Sequence, residues 1–206
     1  KMRMNAENTI RGLLASFGIR LPKHLKTYEQ RVQKVLEGQA VLAGVIEPLL
    51  KLRTEALRQT AVLTKEMTRH SRDDEACRRL MTIPGVGVVS AVTFVATIDT
   101  PDRFKRSRSV GAYIGLTSRR YQSGDIDYGG RISKRGDRML RTVLYEAANS
   151  LLCRVKSGPG QALKDWATAL KKRTGHKKAV VALARKLAVI MHAIWKDGTE
   201  FEMKEA

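Results

Sequence analysis

Acidic residues, aromatics, cysteines and long apolar runs are all scarce in this chain of 206 residues, and each shortage excludes something. Only 20 Asp and Glu stand against 39 Lys and Arg, a formal net charge of +19, which points to a polyanionic partner. Nucleic acid leads anionic membrane, because no run approaches the roughly eighteen apolar residues that a span requires. No signal peptide is visible either. The two cysteines, Cys77 and Cys153, give neither a disulfide framework nor a zinc spacing. They fit a reducing, cytoplasmic compartment and are expected as small buried residues within helices. His24, His70, His176 and His192 are scattered, without a partner at i+4, so no metal site is expected in this chain. Aromatics at 5% leave a mainly aliphatic core, and the hydrophobic content of 43% supports a folded protein. The first residue is Lys1 rather than Met, and the chain reads as a fragment.

What is present is helical period, and the expected fold is mostly α: a helical arm over residues 1–74, then a compact helical domain over 75–206. Ile10, Leu13, Leu14 and Phe17 predict a first amphipathic helix stopped by Gly18. Leu25, Tyr28, Val32, Val35 and Leu36 predict a second, ending near Gly38. From Gln39 to His70, Leu42, Leu49, Ala56 and Leu63 recur at intervals of seven, with Val45 and Leu52 offset by three. That heptad seam predicts a coiled-coil or hairpin arm that could hold two copies together, an ordinary bundle helix being the alternative. Pro48 calls for a kink or a helix start. Ser71 to Glu75, charged and turn-like, marks the boundary.

Within about 77–98, an apolar helix end (Leu80, Met81, Ile83) is followed by Pro84-Gly85-Val86-Gly87 and then by Val88, Ala91, Val92, Val95 and Ile98. Helical spacing favours a helix over a strand for the second segment. The pattern resembles a helix-hairpin-helix, in which the amides at Gly85 and Gly87 face a phosphate; a tight turn between two helices that binds nothing is the plain alternative. Arg103, Lys105, Arg106 and Arg108 form a basic cluster beyond it. Two further helices are expected late in the chain, one carrying Ala162, Trp166, Ala169 and Leu170, the other running from about His176 to Lys196.

The stretch Tyr121 to Arg141 carries the most chemistry. Ser123 sits beside Gly124 in a segment without an apolar period, about 117–136, read as a flexible loop. It leads through Arg131, Lys134, Arg135, Arg138 and Arg141 into a helix that Asp137 can cap. Lys134, Arg138 and Arg141 share a face if that helix starts early enough. A hydroxyl followed by a cationic rail suits a phosphate backbone, because guanidinium and ammonium groups neutralise phosphate while glycines admit a close strand. From local composition alone, a plain turn is the commoner reading of Ser-Gly.

Ile83-Pro84-Gly85-Val86-Gly87, Gly111-Ala112-Tyr113-Ile114-Gly115-Leu116-Thr117, Tyr121-Gln122-Ser123-Gly124 and Gly130 to Asp137, taken together, resemble the C-terminal half of the DEDD transposases of bacterial insertion sequences, the bridge-RNA-guided recombinases. The likeness implies a helical arm and a domain whose serine attacks DNA. By motif position that serine is Ser123, with Ser133 as runner-up. It also implies a RuvC-like domain whose four acidic residues hold Mg2+. That domain is not expected in these 206 residues, since Asp125, Asp127 and Asp137 are too local to replace it. A serine ester of phosphate stores the bond energy for resealing; the serine needs activation, and Arg119, Arg120 and Arg131 are placed to balance transition-state charge. Implied partners are DNA, a structured guide RNA and further copies of the chain, in a bacterial cytoplasm near the nucleoid. A non-catalytic helix-hairpin-helix DNA binder is the rival reading.

Overall fold

Helices dominate the computed structural model, which describes residues 2–22 and 27–202: nine α-helices and one two-stranded hairpin lie among the described residues. The protein is mostly α, as its periodicity predicts. His24 and Leu25 lie outside the described residues. The chain divides into two compact units, Lys1–Glu66 and Met67–Ala206.

In the first unit α1 (Met2–Ser16), α2 (Tyr28–Leu36) and the start of α3 (Ala40–Asp73) bury Ile10, Leu14, Val32, Leu36, Leu42, Ile46 and Leu50 around Tyr28. The Tyr28 hydroxyl donates to the Glu7 carbonyl at 3.2 Å, and the guanidinium of Arg53 lies 4.7 Å from its ring while its Nε reaches the Glu7 carboxylate at 2.8 Å. Burial pushes this phenol up from its ordinary pKa. On α3 the buried residues recur every four, at Leu42, Ile46 and Leu50, and the seam positions Leu42 and Leu49 meet this same core, Leu42 buried and Leu49 half-buried against it. Of that seam, Val45, Leu52 and Leu63 are 52%, 44% and 61% exposed. The helix neither begins nor stops at Pro48: it starts at Ala40 and runs through.

The second unit is organised on α9 (His176–Asp197), whose Val180, Leu183, Ala184, Leu187, Ala188 and Met191 are fully buried. Packed with it are α4 (Glu75–Leu80), α6 (Arg108–Tyr113), α7 (Arg138–Arg154) and α8 (Gln161–Thr174), while α5 (Val88–Ile98) lies against α7. Side-chain caps start two of these helices: Asp74 accepts from the Cys77 amide at 2.7 Å and Asp137 from the Leu140 amide at 2.5 Å, each satisfying an amide that the first turn leaves open. Residues 88–98 form a helix, as the 3-4 spacing indicates over a strand. His192, fully buried on α9, is a structural residue. Its Nδ1 lies 2.9 Å from the Ser107 hydroxyl and its Nε2 2.9 Å from the Pro101 carbonyl, tying the approach to α6 onto the core.

The cysteines part company. Cys77 is buried on α4, and burial together with the neighbouring Asp74 carboxylate pushes its thiol up to about 12. Cys153, expected to be buried as well, is exposed near the end of α7, because the buried stripe of that helix passes through Leu151 and Leu152 and leaves position 153 on the solvent side.

Candidate nucleic-acid interface

The segment read as a flexible loop is a β-hairpin. Strand β1 (Ser118–Ser123) pairs antiparallel with β2 (Ile126–Ile132), Tyr121 opposite Tyr128 and Ser123 opposite Ile126. Gly124 and Asp125 form the turn, with positive φ (+55°) at the glycine only, as a two-residue hairpin with Gly in first position requires. Both strands are almost wholly exposed, so no alternation of polar and apolar residues announced them.

The hairpin is fixed at its base. Ser133 N donates to the Thr117 carbonyl at 2.8 Å and Lys134 N to the Gly115 carbonyl at 3.1 Å, while Ile132 packs onto the core of the second unit. Here the chain following α6 crosses the chain preceding α7 almost backbone to backbone. A Cβ on Gly115 would lie 1.9 Å from the Arg135 carbonyl oxygen, and one on Gly136 would lie 2.1 Å from that of Tyr113. Both glycines also have positive φ, +79° and +86°, so the crossing demands glycine twice over. Arg141 clamps it: one terminal nitrogen donates to the carbonyls of Ile114, Arg135 and Gly136 at 3.0, 3.1 and 2.9 Å.

Ser123 therefore stands at the end of a braced two-strand lever, exposed, with its hydroxyl taking no partner among the described residues. Alternation puts Tyr121 and Ser123 on one face of β1, and the register adds Tyr128 and Ile126. On the opposite face Arg120 makes a two-bonded pair with Asp127, Nε to Oδ1 at 2.9 Å and a terminal nitrogen to Oδ2 at 2.5 Å. The Arg120 bond holds the Asp127 carboxyl below its usual range. Arg119 reaches the Ser133 carbonyl at 3.3 Å, whereas Arg131, Lys134, Arg135 and Arg138 are exposed with no side-chain partner. The runner-up Ser133 is half-buried at the base, its backbone used on both sides.

Lys134, Arg138 and Arg141 do not form one helical row. α7 begins only at Arg138, after a left-handed Lys134 (φ +56°) and Gly136. A cation at the first position of a helix opposes the helix dipole by about 0.3–1 kcal/mol, and Lys134 holds a backbone that costs a non-glycine residue about 1–2 kcal/mol. Neither placement favours stability.

Gly85 and Gly87 have separate roles. Gly85, at φ +86°, turns its Cα toward α7, where a Cβ would meet the Ala147 carbonyl at 2.6 Å, so packing alone explains that glycine. Gly87 caps α5 in extended backbone with open space around it. The basic cluster at Arg103, Lys105, Arg106 and Arg108 is exposed, with the Arg103 guanidinium 4.8 Å from the Tyr113 ring. No group of three or more His, Cys, Asp or Glu among the described residues is placed to hold a metal ion. Nor is any described helix long and apolar enough to cross a membrane.

The hairpin, with an exposed hydroxyl beside its turn and exposed cations at its base, belongs to a basic, mostly helical chain. Residues 77–164, which hold every candidate site residue named above, match the family described as Transposase IS116/IS110/IS902 family. The chain is 35% identical over 199 residues to the transposase for insertion sequence element IS1111A of Coxiella burnetii, covering 94% of this chain and 54% of that protein. A putative transposase, y4pF/y4sB, of Sinorhizobium fredii is 31% identical over 98% of this chain and 53% of its own length. The transposase for insertion sequence element IS1328 of Yersinia enterocolitica is 30% identical over 97% of this chain and 60% of its own. The chain thus spans about half the length of these curated relatives.

Proposed function

We propose that this chain is the helical arm and the serine-bearing domain of a DNA transposase of the DEDD, bridge-RNA-guided kind, with Ser123 as nucleophile. The observation that carries the reading is the exposed, unpartnered Ser123 hydroxyl at the tip of a braced hairpin whose base is lined with free cations. In the reaction the Ser123 oxygen bonds to phosphorus, the bond from phosphorus to one deoxyribose oxygen breaks, and the serine proton ends on that leaving oxygen. The resulting phosphoserine ester lets a second strand's hydroxyl reverse the step without ATP. Arg131, Lys134, Arg135 and Arg138 hold the strand's phosphates, while Arg119 lies at the hairpin base and Arg120, further along β1, is on the face opposite Ser123. Arg120 must exchange Asp127 for phosphate to serve, whereas Arg131 need not.

No described residue is placed to deprotonate Ser123, and the carboxylates that hold Mg2+ in this reading belong to sequence outside the 206 residues. In the same reading a structured guide RNA is the second polyanion, Gly87 offers open amides at the start of α5 to a phosphate in helix-hairpin-helix manner, and the apolar row at Val45, Leu52 and Leu63 joins copies of the chain. The protein works beside the nucleoid in the bacterial cytoplasm. Strand cleavage by the full-length protein with its guide RNA and element DNA tests the assignment: Ser123→Ala abolishes cleavage and Ser133→Ala retains it. The opposite ranking overturns it. Full binding with no cleavage dependence on either serine returns the chain to a non-catalytic DNA binder.

A further inference from the structure

Serine chemistry leaves the aromatic face of the hairpin unexplained. Aromatics make up 5% of the chain, yet two of its tyrosines are spent on an exposed two-stranded ribbon, Tyr121 at 45% and Tyr128 at 57% exposure. Their rings stack across the strands with centroids 5.0 Å apart and planes 19° from parallel. Gly130 supports the pair from beneath: a Cβ there would lie 2.8 Å from Cε2 of Tyr121, so glycine lets that ring lie down on the strand. Cross-strand aromatic pairs contribute only about 0.2–1 kcal/mol to a sheet, and this hairpin is already held by its base, so local stability is a weak reason for two exposed rings.

We propose that the Tyr121–Tyr128 pair is a stacking platform for an unpaired DNA base adjoining the phosphate that Ser123 attacks. This rests on the nucleic-acid reading above. Three features carry it. Ser123 lies on the same face of β1, about 7 Å along the strand from Tyr121. The opposite face is occupied by the Arg120–Asp127 pair, which keeps that arginine off the rings. Free cations at Arg131, Lys134 and Arg135 hold the phosphates of a strand whose base the rings receive. Aromatic groups stack on any base, so the platform would favour a melted or distorted strand over a sealed duplex without reading sequence. A base so held fixes the neighbouring phosphate within reach of the hydroxyl.

The test uses the full chain and three DNA probes of one sequence: a 20-nucleotide single strand, the same strand with abasic sites through its middle, and the duplex. Tyr121→Ala/Tyr128→Ala weakens binding of the base-bearing single strand about five- to hundredfold. It leaves the abasic strand and the duplex within about twofold, and the dependence on salt unchanged. Tyr121→Phe/Tyr128→Phe, which keeps the rings and drops the hydroxyls, binds like the unaltered chain. Equal loss on the abasic strand, no loss at all, or loss in the Phe pair overturns the platform while leaving the phosphate-binding surface intact. No binding of any probe by the unaltered chain refutes the nucleic-acid reading itself, and this inference with it.

Discussion

Replacing Arg141 by alanine separates two roles that its position next to Arg138 makes easy to confuse. One of its terminal nitrogens serves three carbonyls at 2.9–3.1 Å, on both chains of the crossing that braces the hairpin. A hydrogen bond to a charged group contributes about 1.5–3 kcal/mol, and a nitrogen with two protons makes at most two full bonds. Water can replace the guanidinium at Arg135 and Gly136, which are exposed, but poorly at Ile114, which is fully buried. Arg141→Ala should therefore cost about 2–3 kcal/mol and lower Tm by roughly 4–12 °C in a domain of this size. Arg138→Ala should cost nothing, and relieving the helix dipole should stabilise it by a few tenths of a kcal/mol. In DNA binding the order reverses: losing one phosphate contact at Arg138 lowers the slope of log K against log salt by about 0.9. Urea unfolding and DNA titrations at several salt concentrations read both quantities. If Arg141→Ala unfolds like the unaltered chain while Arg138→Ala is strongly destabilised, the assignment of clamp and contact is refuted.

Gly136→Ala adds a Cβ 2.1 Å from a backbone oxygen at φ +86°, so a loss of at least about 3 kcal/mol on urea unfolding is expected, and a loss below 1 kcal/mol would mean that the backbone crossing is not as described. Thiol alkylation at pH 8 should mark Cys153 at once and Cys77 only on unfolding. The Cys77 thiol is pushed up to about 12, so the folded protein keeps a proton there that the unfolded chain releases above about pH 8.5. Its contribution to stability is present below that pH and is lost toward pH 12, and a Cys77→Ala chain should show a shallower fall in stability over that window. Changing Val45, Leu52 and Leu63 together to glutamine should leave helicity intact, since all three are exposed, while sedimentation shows smaller assemblies; an unchanged mass would remove the arm from assembly.

Helices were legible wherever one side of an element is buried, because burial imprints a period. The α9 stripe from Val180 to Ile194 and the Asp137 cap read directly from residue types. The hairpin was not legible by period, since both of its faces meet solvent, and Arg-Arg-Tyr-Gln-Ser has nothing to alternate. Its one local signal was Gly124-Asp125, a two-residue turn pair between runs of strand-forming residues. Charge was legible as a patch but not as partnership: Arg120 is engaged by Asp127 and Arg141 by carbonyls, and residue type cannot tell these from the free Arg131 and Arg138. The α3 seam was visible as spacing, but spacing could not separate Leu42 and Leu49, which meet the intramolecular core, from Val45, Leu52 and Leu63, which are exposed.

Mass spectrometry of a covalent protein–DNA adduct, trapped with the full-length protein and digested with trypsin, tests the central claim most directly. Cleavage after Arg120, Arg131 and Lys134 puts Ser123 in the peptide Tyr121–Arg131 and Ser133 in Ile132–Lys134. The account predicts nucleotide mass on the first peptide, with fragment ions placing it on Ser123 rather than on Tyr121 or Tyr128. Nucleotide mass on Ile132–Lys134, or on either tyrosine, would contradict it.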